Sequence, residues 1–195
     1  MHRMRKFAAI GSILLVITLG AVLMTHSQQV FLGASAYFPN DNLLEVIQDS
    51  IESPQRVDLN ALAVGEPIVV AVSQFSEPKL AETLISTKRR LSATVQVLLE
   101  SPMESADSTT PTSNVCGQLV NSGIRVRHVP NMNHKFLVMG SSHVVTSSGN
   151  WTKQALQNEA NNVVVLNNTE LGRKYRDEFE RLWNADIAQR GCPNQ

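Results

Sequence analysis

Five consecutive apolar residues, Ile68-Val-Val-Ala-Val72, constrain this chain more than any other stretch. Four of the five are β-branched. A strand of that composition is covered on both faces, and helices must supply the cover. The segments around it are helical in pattern. Asn42 to Glu52 puts Leu43, Leu44, Ile47 and Ile51 on one face, and Asn42 with Glu45 fits a capping box. A second helix carries Leu80, Ala81, Leu84 and Ile85, with Ser76 as its cap and Pro78 in its first turn. Lys88, Arg89 and Arg90 fall in its last turn, where cations suit the helix dipole. Further strands are expected at Thr94–Leu99, Ile124–Val129, Met132–Met139, His143–Ser147 and Asn162–Leu166. A short helix passes through Val115 and Leu119 and ends near Gly123. A last helix runs over Glu170–Asn184. Stretches with Pro54, Gly65 and Pro67, and the Ser/Thr/Pro-rich residues 101–113, read as loops. The alternation predicts an α/β domain, with a mixed sheet flanked by helices on both faces.

The N-terminus is of another kind. Met1 to Lys6 is short and basic, and Phe7 to Met24 is an 18-residue run without a charge. This pattern predicts a hydrophobic helix acting as signal anchor or signal peptide, with the N-terminus in the cytoplasm and the folded part on the far side. The expected organisation is therefore 1–24 targeting segment, 25–39 linker, 40–188 folded domain and 189–195 tail. The zero formal charge hides an asymmetry. Removing Arg3, Arg5 and Lys6 from the 17 basic residues leaves 14 against 17 acidic, a net −3, which excludes a bulk basic face for nucleic acid. Cys116 and Cys192 are not in metal-like spacing, so no metal site is expected. A single disulfide between them is open if the domain lies outside the cytosol.

The chemistry-bearing text is His128-Val-Pro-Asn-Met-Asn-His-Lys-Phe-Leu-Val-Met-Gly140, then His143-Val-Val-Thr-Ser-Ser-Gly-Asn-Trp-Thr152, then Asn158-Glu-Ala-Asn-Asn-Val-Val-Val-Leu166. It resembles the phospholipase D superfamily, in particular its short single-motif members: bacterial endonuclease-like and mitochondrial cardiolipin hydrolase-like proteins. Their motif reads His-x-Lys, four residues, Asp, about six residues, Gly-Ser-x-Asn. Ser122–Pro130, Asn150–Asn158 and Asp177–Trp183 extend the likeness, which covers roughly residues 40–185. The resemblance implies a phosphodiesterase fold, no cofactor, and a homodimer or a heterodimer with a paralogue, because one motif makes half a site.

The same resemblance exposes departures. Lys135 matches the motif lysine, and Ser148 and Asn150 match Ser and Asn of the second element. Asn133 stands at the nucleophilic histidine position, Gly140 at the aspartate and Asn161 at a commonly acidic position, with Asn162 as the matching Asn; Glu159 would serve as that acid only after a two-residue slip. In the family mechanism a neutral imidazole attacks phosphorus, a second histidine protonates the leaving oxygen, and Lys and Asn hold the phosphoryl oxygens. A carboxamide can take neither histidine role. His134 is the possible substitute, but strand alternation sends Asn133, Lys135 and Leu137 one way and His134, Phe136 and Val138 the other. His128 and His143 read as ordinary strand or turn residues, and the sequons at Asn150 and Asn167 as chance matches. The expectation is a membrane-anchored or exported domain with an impaired site. It would retain a residual phosphate-binding set, Lys135, Ser148 and Asn150, for a phosphodiester of nucleic acid or phospholipid. The alternative is an active phosphodiesterase that uses His134 or a partner chain's histidine. The expected location is the bacterial periplasm or inner membrane, with the mitochondrial outer membrane as the alternative.

Overall fold

A computed structural model describes residues 33–54, 65–101 and 112–192. The apolar run at 7–24 and most of the Ser/Thr/Pro loop lie outside the described residues. The described residues from Ser35 onward belong to one compact unit. The elements in order are β1 (Ala34–Tyr37), a 3-10 turn (Pro39–Asp41), α1 (Leu43–Glu52), β2 (Ile68–Val72), α2 (Pro78–Leu91), β3 (Val95–Glu100), α3 (Thr112–Asn121), β4 (Arg125–Val129), β5 (Lys135–Met139), β6 (His143–Ser147), α4 (Lys153–Gln157), β7 (Val163–Asn167), α5 (Thr169–Trp183) and β8 (Gln189–Arg190). They build one sheet in the order β1-β7-β6-β5-β2-β3-β4-β8. β2, β3 and β4 run parallel. β5, β6 and β7 continue antiparallel from β2, and β8 pairs antiparallel with β4.

β2 is central and all five of its side chains are buried. Ile68, Val70 and Val72 pack with Leu43 and Ile47 of α1, Leu80 and Leu84 of α2, and Leu119 of α3. Val69 and Ala71 pack on the opposite face with Phe179 and Trp183 of α5. Covered on both sides, the strand needs no polar alternation. Each fully buried aliphatic side chain contributes about 1.5–3 kcal/mol. The mixed sheet with helices on both faces is the architecture read from the sequence.

Several local readings change. Asn42 does not cap α1 through its side chain. Its φ is 54°, and its amide Nδ2 instead donates to Glu45 Oε2 at 2.9 Å. α2 is capped by Glu77, not Ser76: the Glu77 carboxylate accepts from Lys79 N–H at 3.2 Å. The reason is tertiary. The N–H groups of Ser76 and Glu77 both donate to Trp151 O, at 2.9 and 3.0 Å, which holds Ser76 in the connecting loop. β5 begins at Lys135 rather than Met132, after Asn131 in the left-handed region at φ 57°. β1 lies in the stretch read as linker and β8 in the stretch read as tail, and α4 is the helix that follows the turn at Ser148 and Asn150. Gly123, at φ +73°, closes α3 as expected. Cys116 and Cys192 are disulfide-bonded with their Cα atoms 5.9 Å apart, so Cys192 is fixed to α3.

Candidate functional site

The carboxyl ends of β2 and β3 meet the amino end of β5 along one rim of the sheet. Register fixes this: Val72 pairs with Lys135, Ser73 N–H donates to His134 O at 3.0 Å, and Glu100 N–H donates to Ser73 O at 3.2 Å. The loop after β6 joins the same rim. Trp151 N–H donates to Gln74 O at 3.0 Å, Phe75 and Trp151 form a bridge, and their rings pack edge-on at 5.2 Å. Trp151 is 1% exposed, so it anchors the adjacent Asn150 at the rim. Carboxyl ends of parallel strands are the usual place for a ligand in an α/β sheet.

Four polar side chains converge there. Lys135 Nζ donates to Asn133 O at 3.1 Å and to Asn133 Oδ1 at short range. Ser73 Oγ donates to Asn150 Oδ1 at 2.7 Å and lies 3.4 Å from Asn133 Oδ1. Both asparagine oxygens therefore face donors within the protein. Neither Nδ2 group has a hydrogen-bond partner among the described residues, so both remain available to donate. Burial pushes the Lys135 ammonium below its ordinary pKa, and Glu100 pulls it back up. One cation and two amide donors make a cradle for an oxyanion. Ser73, 4% exposed, is the member that sequence reading missed. Its only signal was position, one residue past the buried strand.

Ser148 is placed differently from its expected role. Its hydroxyl donates to Asn161 Oδ1 at 2.9 Å and accepts from Asn162 N–H at 3.0 Å. Both bonds tie the end of β6 to the start of β7 and leave the single proton engaged. Asn161 is the hub of this clamp. Its Nδ2 donates to Ala155 O at 2.9 Å and Glu159 Oε2 at 3.1 Å. Gly149 makes room for it, since a Cβ there would lie 2.5 Å from Asn161 Nδ2. Gly149→Ala should accordingly cost about 1–3 kcal/mol, by the scale of overpacking, read as a fall in the urea midpoint. An unchanged midpoint would show that Asn161 does not hold this turn.

The histidines go elsewhere. His134 Nε2 pairs with Glu178 Oε1 at 3.0 Å, and its ring stands 5.4 Å from that of Phe136, on the α5 side of the sheet. Glu178 also takes two bonds from Arg181, at 2.8 Å each. These partners lower its pKa to about 2, the Arg181 hydrogen bonds first among the causes. His128, 4% exposed, lies 3.1 Å from Glu100 O through Nδ1, and burial lowers its pKa. His143, 1% exposed, lies 2.9 Å from Asn167 Oδ1 and 3.0 Å from Ser50 O. Gly140, in place of the motif aspartate, sits at φ +61° and offers its carbonyl to Arg176 Nη2 at 2.8 Å. Arg176 also donates to Pro67 O at 2.9 Å and has Glu66 at 3.7 Å. Among the described residues no group of three or more His, Cys, Asp or Glu gathers as a metal site.

A family model described as cardiolipin synthase, PLD-like domain, matches residues 62–183. The mitochondrial cardiolipin hydrolase of Xenopus laevis is 34% identical over 131 residues, which are 66% of this chain and 60% of that protein. The protein of the same name from Mus musculus is 32% identical over 125 residues, 63% of this chain and 54% of that protein. The chain thus spans somewhat over half the length of these relatives. Solved structures share the fold. A phospholipase D family member, Nuc from Salmonella typhimurium, superposes with a TM-score of 0.62 at 18% identity, covering 80% of this chain and 96% of its own. NucT from Helicobacter pylori gives 0.62 at 15%, covering 80% and 98%.

Proposed function

The chain belongs to the phospholipase D superfamily, in its single-motif form, and from that premise we propose that it is a phosphodiester-binding pseudoenzyme, anchored to a membrane or exported. One observation carries this reading: the side chain hydrogen-bonded to Lys135 is the carboxamide of Asn133, where the family resemblance puts the nucleophilic imidazole. An amide nitrogen has no lone pair for attack on phosphorus, and an amide oxygen is no base at neutral pH. The three described histidines are held by Glu178, by Glu100 O and by Ser50 O with Asn167. The reading keeps the anion cradle and discards the chemistry. Lys135, Asn133 and Asn150 contact the phosphoryl oxygens; Ser148 acts from behind, through the Asn161 clamp.

The Cys116–Cys192 disulfide supports placement outside a reducing cytosol, and the uncharged run at 7–24 supports a tether or export signal. Among the described residues no helix is long and apolar enough to cross a membrane. The bacterial periplasm remains the proposed site, with a mitochondrial membrane as the alternative that the names of the relatives favour. Pairing with a second copy or a paralogue belongs to the same proposal.

The test is turnover. The full chain, incubated with a chromogenic phosphodiester, single-stranded DNA and cardiolipin vesicles, should release no product above buffer, and Lys135→Ala should leave that baseline unchanged. Turnover that Lys135→Ala abolishes would overturn the proposal and install an active phosphodiesterase.

A further inference from the structure

β4 and β8 close one edge of the sheet, and their register brings cations together. Arg127 pairs directly with Arg190. Directly opposed residues of antiparallel strands share a face with Cβ atoms about 5 Å apart, and Arg125, two residues along, projects from that face too. Trp183 lies beneath them: the Arg127 guanidinium is 4.7 Å and that of Arg125 5.9 Å from its ring centroid. Arg127 also donates to Trp183 O. Among the described residues, none of the three arginines has a carboxylate within ion-pair distance. Like charges opposed on a strand pair are unfavourable, and the folded part carries net acid, so this cluster is not the overflow of a basic protein. The geometry is also fixed in place. Gly191 N–H donates to Val126 O at 3.0 Å, and the next residue, Cys192, is bonded to Cys116.

The turn that leads into β8 adds an apolar element. Ile187 is 59% exposed, one of two large apolar side chains so exposed among the described residues. It lies beside Asp186, which is also exposed. Trp183, at 9% exposure, has no free face for stacking a base, whereas an exposed Ile in the turn into β8, the strand that brings one of three guanidinium groups without a carboxylate partner, suits a bilayer interface. We propose that Arg125, Arg127, Arg190 and Ile187 form a contact surface for an anionic phospholipid bilayer. The arginines meet headgroup phosphates and Ile187 enters the acyl boundary. No residue of this surface touches the Lys135 cradle, so the two proposals stand or fall separately.

The experiment uses the full chain in nanodiscs, so that the N-terminal segment is present throughout. Ile187→Trp supplies a reporter, and the emission of the parent protein, from Trp151 and Trp183, is subtracted. With lipids brominated on their acyl chains, the reporter should lose more than about half its emission in phosphatidylglycerol discs and at least two-fold less in phosphatidylcholine discs. Adding Arg125→Glu and Arg190→Glu should bring the anionic value down to the neutral one, with near-UV circular dichroism unchanged. Equal quenching in both lipids, or no effect of the charge reversals, would overturn the proposal. So would displacement of the protein from anionic lipid by an oligothymidylate at physiological salt, which would make the surface a nucleic-acid site.

Discussion

Asn133→His is expected to raise phosphodiester hydrolysis by this chain well above that of the wild type. Part of the surrounding polar set is in place. Lys135 lies within hydrogen-bond reach of position 133, and Asn150 is held at the rim by Ser73 and the buried Trp151. An imidazole at 133 would receive the Lys135 side of the cradle and present a nitrogen to a bound phosphoryl group. Removing a nucleophile from a hydrolase costs on the order of 10⁴–10⁶ in turnover. The reverse change should recover part of that, a rise of roughly 10²-fold or more over the wild-type baseline. It should not recover all of it, because Asn161 stands where the family has an acid and holds Ser148, Ala155 and Glu159 instead. Asn133→His with Lys135→Ala should show nothing. Hydrolysis of a chromogenic diester, followed for hours at neutral pH, reads all three. No gain from the histidine alone would mean that the cradle no longer aligns a phosphate for attack.

The second large effect concerns stability. Cys116 and Cys192 close a loop of 76 residues by sequence separation. Replacing both by serine should lower the unfolding free energy by about 4.5 kcal/mol on the chain-entropy scale, within a typical span of 2–5. The loss should also loosen β8, whose two residues are held by β4 on one side and by this bond at the end. Guanidinium unfolding with and without reductant measures it. A midpoint indifferent to reductant would contradict the assignment of the bond as a structural one, and with it the placement in an oxidising compartment.

Much of this is legible in the sequence. The both-faces-buried pattern of Ile68–Val72 demanded helices on two sides, and α1, α2, α3 and α5 provide them. Strand alternation separated Asn133 and Lys135 from His134, and His134 lies with Phe136 and Glu178 on the α5 side. What was not legible came from contacts distant in sequence. Ser73 enters the site because β2 ends beside β5, which brings it to Asn133, 60 residues later in the chain. Ser148 matches a motif but gives its hydroxyl to Asn161, which no local pattern reveals. The cap of α2 moved from Ser76 to Glu77 because Trp151 O takes the two N–H groups there. Gly140 in place of an acid leaves Arg176 to two carbonyls and to Glu66, a partner far along the chain. β8 is two residues long and carries no apolar pattern, so it reads as tail until the disulfide and the β4 pairing are seen.

The most direct measurement is a titration of the full chain with dimethyl phosphate, followed by the side-chain ¹⁵N–¹H resonances of Asn133 and Asn150. Saturable shifts of both amides, absent in Lys135→Ala and with the diester recovered intact, are the expected result. Amides that stay in place while the diester is consumed would contradict it.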